Sequence, residues 1–97
     1  MTEPFRPTPV CPFIHLNGTT AGALLDQRLA VSSALCDCLE KLADMAPNQR
    51  DYYPDPGRWE RAIDQHRRRV GVLNQLRDEI TSEMQSIQDF QDANGRY

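Results

Sequence analysis

Residues 55–92, DPGRWERAIDQHRRRVGVLNQLRDEITSEMQSIQDFQD, decide how the rest of the chain is read. Trp59, Ile63, Val70, Leu73, Ile80, Met84 and Ile87 recur in alternating steps of four and three once His66 and Arg77 fill two slots of the same seam. That spacing keeps one stripe of a helix apolar, and Leu76 and Phe90 widen it on the flank. Asp55 before Pro56 is a start signal: a carboxylate cap, then a proline at a position whose N–H would be unpaired anyway. Asn94-Gly95 is a stop signal, since either residue tolerates the left-handed conformation that closes a helix. A helix over residues 55–92 would be roughly 55 Å long at ~1.5 Å per residue.

Working back from that stretch, Pro47 and the segment 48–55 read as a connection, and residues 20–46 as a first helix. Its expected buried stripe is Leu24, Leu25, Leu29, Leu35, Leu39 and Leu42, with Thr19 or Thr20 as cap. Two helices and one loop predict an all-α, antiparallel helical hairpin spanning residues 15–97. Residues 1–14 carry Pro4, Pro7, Pro9 and Pro12, which exclude both a helix and a central strand. They read as an extended arm, with Val10, Phe13, Ile14 and Leu16 apolar enough to dock on the helices.

If the helices pair outward from the loop, the second outlasts the first beyond about Ile80. Met84, Ile87 and Phe90 would then project past the hairpin, each forfeiting ~1.5–3 kcal/mol if left wet. Cover from the arm or from another copy of the chain is expected. A two-helix hairpin cannot surround its own seam, so a homo-oligomer, dimer or higher, is the expected state.

The 97 residues hold one small domain, 39% hydrophobic with a mean hydropathy of −0.64. Net charge is −3 and the isoelectric point about 5.2, which argues against a nucleic-acid partner. Charge is unevenly spread. Arg50, Arg58, Arg61, Arg67, Arg68 and Arg69 precede Asp78, Glu79, Glu83, Asp89 and Asp92, so the long helix starts basic and ends acidic. Three cysteines, Cys11, Cys36 and Cys38, form no disulfide framework. No signal-peptide pattern and no run of ~20 apolar residues is present, so a reducing cytoplasm and no membrane partner are expected.

Three constellations are candidates for chemistry. His15, Asn17, Gly18, Thr19 and Thr20 form a glycine-bearing helix start, suited to an anion but equally to a turn and cap. Arg50, Asp51, Tyr52 and Tyr53 offer a guanidinium and two rings, for a phosphate and a base or for closing the end of the core with an Arg50–Asp51 ion pair. Trp59 is followed by His66 on the seam and by Arg67, Arg68 and Arg69, which fan round the helix. His66 reads as a core histidine, and Arg77 as a seam residue pairing with Asp26 or Glu83 of a neighbouring subunit. No nucleophile–base signature and no metal-ligand spacing is present. A non-enzyme without cofactor or metal is the expectation.

The segments His15-Leu16-Asn17-Gly18-Thr19, Pro47-Asn48 and Arg50-Asp51-Tyr52-Tyr53-Pro54 resemble those of a family of small, largely uncharacterised proteins encoded by tailed bacteriophages. The resemblance spans residues 12–80. It implies a phage accessory protein acting in the cytoplasm of the bacterial host. Small helical phage proteins include oligomeric sponges that sequester cyclic nucleotide messengers of bacterial immunity, an analogy of size and architecture. The leading expectation is therefore a non-catalytic binder of a small anionic nucleotide, with His15, Asn17, Gly18, Thr19, Thr20, Arg50, Asp51, Tyr52, Tyr53 and Arg67 as ligand-binding residues. The alternative is a protein–protein adaptor, an inhibitor of a host factor, or a virion-assembly component.

Overall fold

The computed structural model describes residues 9–15 and 17–94. Two helices, α1 (Ala21–Asp44) and α2 (Pro56–Asn94), pack against each other, joined by a connection that contains a short 3-10 helix, Gln49–Tyr52. Among the described residues there is no strand. The start signals operate as the sequence implies. The Thr20 hydroxyl accepts from the Ala23 N–H at 3.2 Å, and the Asp55 carboxylate accepts from the Arg58 N–H at 3.1 Å. Each satisfies one of the donors that a helix start leaves unpaired. α1 closes two residues earlier than expected, on a tight turn in which the Met45 N–H donates to the Leu42 carbonyl at 3.0 Å.

The seam follows a seven-residue repeat on both helices. On α1 the half-buried or buried positions include Ala21, Leu25, Arg28, Ser32, Leu35, Leu39 and Leu42; on α2 they include Ile63, His66, Val70, Leu73, Arg77, Ile80, Met84 and Ile87. Steps of three and four on both sides keep the two stripes in register as the helices wind past each other. Leu29, expected in the stripe, is 57% exposed instead. Its neighbour Arg28 takes the seam slot. Arg28 can be accommodated because its Nε donates to the Glu83 carboxylate at 2.9 Å and its Nη1 to the Leu24 carbonyl at 3.3 Å. Both side chains of that ion pair are mostly buried. A register slip would separate them and leave two desolvated charges without partners. Glu83 is thus engaged within the chain, not held for Arg77 of a neighbour; the Arg77 guanidinium lies 3.9 Å from the Cys36 sulfur.

These contacts correct the expected overhang. Arg28 stands level with Glu83, Cys36 with Arg77, and Leu42 shares a cleft with Arg69, Val72 and Leu73. The helices are antiparallel, but α1 covers the C-terminal two thirds of α2. The unmatched part is the first three turns of α2, at the loop end. The connection is long enough to run back along those turns, and its 3-10 helix packs on them. Met84, Ile87 and Phe90 therefore do not project past the hairpin. Ile87 is 1% exposed, clustered with Ala21 and Ile14, and Leu24, Leu25 and Phe90 pack against the cluster.

Docking of the N-terminal segment is narrower than expected. Ile14 is buried, whereas Val10 and Phe13 are about nine-tenths exposed. The expected arm over residues 1–8, the docking of Leu16 and the stop at Gly95 lie outside the described residues. Removing residues 1–10 should leave the melting temperature close to that of the full chain, whereas removing residues 1–16 should lower it sharply. Ile14→Ala alone should cost about 2 kcal/mol or more, because it opens a hole over Ile87. Equal melting temperatures for the two truncations would show that Ile14 adds nothing.

The radius of gyration is 18.8 Å and the long axis 62 Å. A compact chain of this size would have a radius near ~13 Å. Among the described residues only Ile14, Ala21, Leu35 and Ile87 are buried hydrophobics. The hairpin is a rod with a thin core, and two clefts meet at Tyr52 near its loop end.

Candidate functional site

The loop end is built by capping. The Asn48 side chain accepts from the Arg50 N–H at 2.9 Å and from the Arg50 Nε at 3.4 Å. One amide oxygen thereby starts the 3-10 helix and steers the arginine that follows. The Asp51 N–H donates to the Asn48 carbonyl at 3.0 Å, and the Asp55 N–H to the Tyr52 carbonyl at 2.9 Å, so two successive turns bring the chain to α2. The Arg50–Asp51 ion pair weighed from the sequence does not form; no carboxylate pairs with Arg50 among the described residues.

These turns enclose a cleft of about 610 Å³, lined by Arg50, Tyr52, Tyr53, Pro54 and Trp59 among others. Tyr52 is half-buried against α2, while Tyr53 is 86% exposed. One tyrosine packs and the other is free to meet a ligand. The indole Nε1 of Trp59 is buried and has no hydrogen-bond partner, as is Nδ1 of His66 one heptad further along the same seam. A buried donor or acceptor left unmatched costs ~1–3 kcal/mol. Both atoms sit on the part of α2 that α1 does not cover.

Tyr52 also lines a second cleft of about 560 Å³, with Arg58, Arg61, Asp64, Gln65 and Arg68. Positions 58, 61, 65 and 68 are three, four and three apart, which puts them on one face of the helix. Arg58 approaches Asp55 at 3.9 Å, and Asp64 is approached by Arg67 at 3.9 Å, both pairs exposed. Arg61 and Arg68 have no carboxylate within ion-pair distance among the described residues.

The other expected group, residues 15–20, lies at the far end of α1. The Gly18 N–H donates to the His15 carbonyl at 3.1 Å, closing a turn. A Cβ at Gly18 would lie 2.9 Å from the His15 Nε2, the far end of an exposed side chain that can swing aside, so the imidazole rests over Gly18 without requiring a glycine there. Thr20 is occupied in capping, and His15, Asn17, Gly18 and Thr19 are exposed. The structure brings Arg50, Tyr52 and Tyr53 together with Trp59. It does not bring the 15–20 turn to them, because α1 separates the two ends by ~36 Å at ~1.5 Å per residue. Asp51 and Arg67 line neither of the two clefts at Tyr52.

Trp59, Arg58, Arg61 and Arg68 join the site although none is among the ligand-binding residues expected from the sequence, where Trp59 and Arg68 belong to a separate constellation with His66. The arginine spacing was a readable signal. The position of Trp59 opposite the tyrosines was not, since it depends on the path of the connection. Among the described residues no group of three His, Cys, Asp or Glu side chains could hold a metal ion, and Cys11, Cys36 and Cys38 are free and exposed. No described helix is long and apolar enough to cross a membrane. No family model matches the chain, and no curated protein or solved structure is found similar to it.

Proposed function

We propose that this chain is a non-catalytic binder of a small anionic nucleotide, a phage accessory protein that sequesters such a signal in the cytoplasm of the bacterial host. The observation that carries the reading is a cleft that presents Arg50, which has no carboxylate partner among the described residues, beside Tyr52, the exposed Tyr53 and Trp59. Aromatic faces take a base by stacking, and a guanidinium without a carboxylate partner neutralises an anion. A cleft of about 610 Å³ falls within the ~300–1,000 Å³ common for small-ligand sites. Neither histidine and no cysteine or serine lines it, and Asp55, its one carboxylate, is engaged in capping α2. That lining suits holding a ligand better than transforming it. The phage setting is supported by the resemblance of the segments around His15 and Arg50.

Homo-oligomerisation belongs to the same reading. The fully buried core is thin, and Leu29, Val72 and Leu76 remain exposed on the helices. The same three side chains are what an adaptor, an inhibitor of a host factor or a virion-assembly component would present to its partner.

Trp59 is the single tryptophan of the chain, so its emission reports on the cleft alone. Titration with cyclic di- and trinucleotides and cyclic ADP-ribose isomers should quench or shift that emission, with matching heat in calorimetry. Silence across the panel in both measurements would overturn the nucleotide reading in favour of the adaptor.

A further inference from the structure

We infer that the arginine-lined cleft beyond Tyr52 is the phosphate half of a two-part site, and that the ligand is a nucleotide carrying two or more phosphates. This rests on the nucleotide reading above and adds to it. The base lies in the aromatic cleft at Trp59 and Tyr53. The phosphates reach past Tyr52, which lines both clefts, to Arg58, Arg61 and Arg68.

Three observations lead there. First, the three guanidinium groups share one cleft with one carboxylate, Asp64, and that carboxylate already faces Arg67. Second, Arg58 and Arg61 are like charges three residues apart on one helix, a pair that costs the free protein stability. Third, the stripe begins in the first turn of α2, where no acidic residue is present. A helix N-terminus carries partial positive charge, and arginine there runs against the macrodipole. The Asp55 cap, 3.9 Å from Arg58, answers that charge at the helix start, whereas Arg61 and Arg68 have no carboxylate within ion-pair distance among the described residues. An anion bound at the stripe relieves the Arg58–Arg61 repulsion and gives Arg61 and Arg68 a partner, and adjacent phosphates suit several arginines in a row.

The test uses the full chain and an Arg61→Ala/Arg68→Ala variant. Both side chains are exposed, so the fold should survive, as circular dichroism and melting temperature would verify. The probes are the nucleoside, 5′-monophosphate and 5′-diphosphate of each RNA base, with inorganic pyrophosphate as a base-free probe. For the base that binds, affinity should rise by at least tenfold from monophosphate to diphosphate. The double variant should lose that gain while keeping the affinity for the nucleoside, and it should lose pyrophosphate binding. Arg61→Lys/Arg68→Lys should recover part of it, and Arg69→Ala, at a residue that lines neither cleft and pairs with no described carboxylate, should leave it unchanged.

A diphosphate bound no tighter than its monophosphate, or by the double variant as tightly as by the parent, would overturn the phosphate half and leave the aromatic cleft standing. Binding of no nucleoside or nucleotide to the parent chain would overturn both. Pyrophosphate bound equally by parent and double variant would show that the arginines are a solvated face only.

Discussion

Ile87→Glu should prevent the hairpin from folding at any protein concentration. Ile87 is the most deeply buried large side chain and joins three segments that are far apart in sequence: Ile14 before α1, Ala21 at its start, and the last turns of α2. A carboxylate there loses its hydration and finds no donor among those neighbours. The isoleucine contacts are lost as well. Each effect costs ~2–5 kcal/mol, a large share of the ~5–15 kcal/mol total stability of an ordinary domain. In a chain with so few buried hydrophobics the sum should exceed what is available. The expected result is loss of most helical circular dichroism at 25 °C, or of any cooperative melt. Leu76→Glu, on an exposed flank of the same helix, is the control and should keep the spectrum. A folded Ile87→Glu monomer would mean that the packing of Ile14 and Ala21 on α2 is dispensable.

The helices were legible in the sequence because their signals are local. Thr20, Asp55 and Pro56 act on their own helix ends, and steps of three and four need no knowledge of a partner. The pairing of the helices was not legible. It depends on how far the connection runs back along α2, and nothing in residues 45–55 states that distance. The mistaken overhang at Met84, Ile87 and Phe90 follows from assuming the shortest path. Leu29 misled for a related reason. On hydrophobicity it belongs in the stripe ahead of Arg28, and only Glu83, 55 positions away, makes Arg28 the better seam residue. The site shows the same division. Arg50, Tyr52 and Tyr53 were recognisable by residue type within one short loop, and the 58, 61, 65, 68 spacing was there to be read. The unpartnered nitrogen of Trp59 was not, since a missing hydrogen bond becomes visible only when the surroundings are known.

Arg50→Ala should weaken binding of the nucleotide that answers in the Trp59 titration by about 10–100-fold, the loss expected for one charge-assisted hydrogen bond worth ~1.5–3 kcal/mol. Arg50 is exposed and unpaired with any described carboxylate, so the fold should be unaffected and the loss should read directly as affinity. The same experiment decides the role of the turn at residues 15–20. Within one chain that turn is a helix length from Arg50, so Asn17→Ala can weaken binding only if a second chain, packed antiparallel, delivers its turn to the cleft. Light scattering after size exclusion should then give a mass above 11.1 kDa. Mixing an Asn17→Ala chain with an Arg50→Ala chain completes the argument. If the site is shared, each variant alone binds poorly, while a heterodimer keeps one intact site built from the unmodified turn of one chain and the unmodified loop of the other. About half the sites of each heterodimer should then recover. A neutral Asn17→Ala, or no recovery in a mixture shown to exchange subunits, would confine the site to the Arg50, Tyr52, Tyr53 and Trp59 of a single chain and leave the turn with its structural task of seating His15 over Gly18 and starting α1.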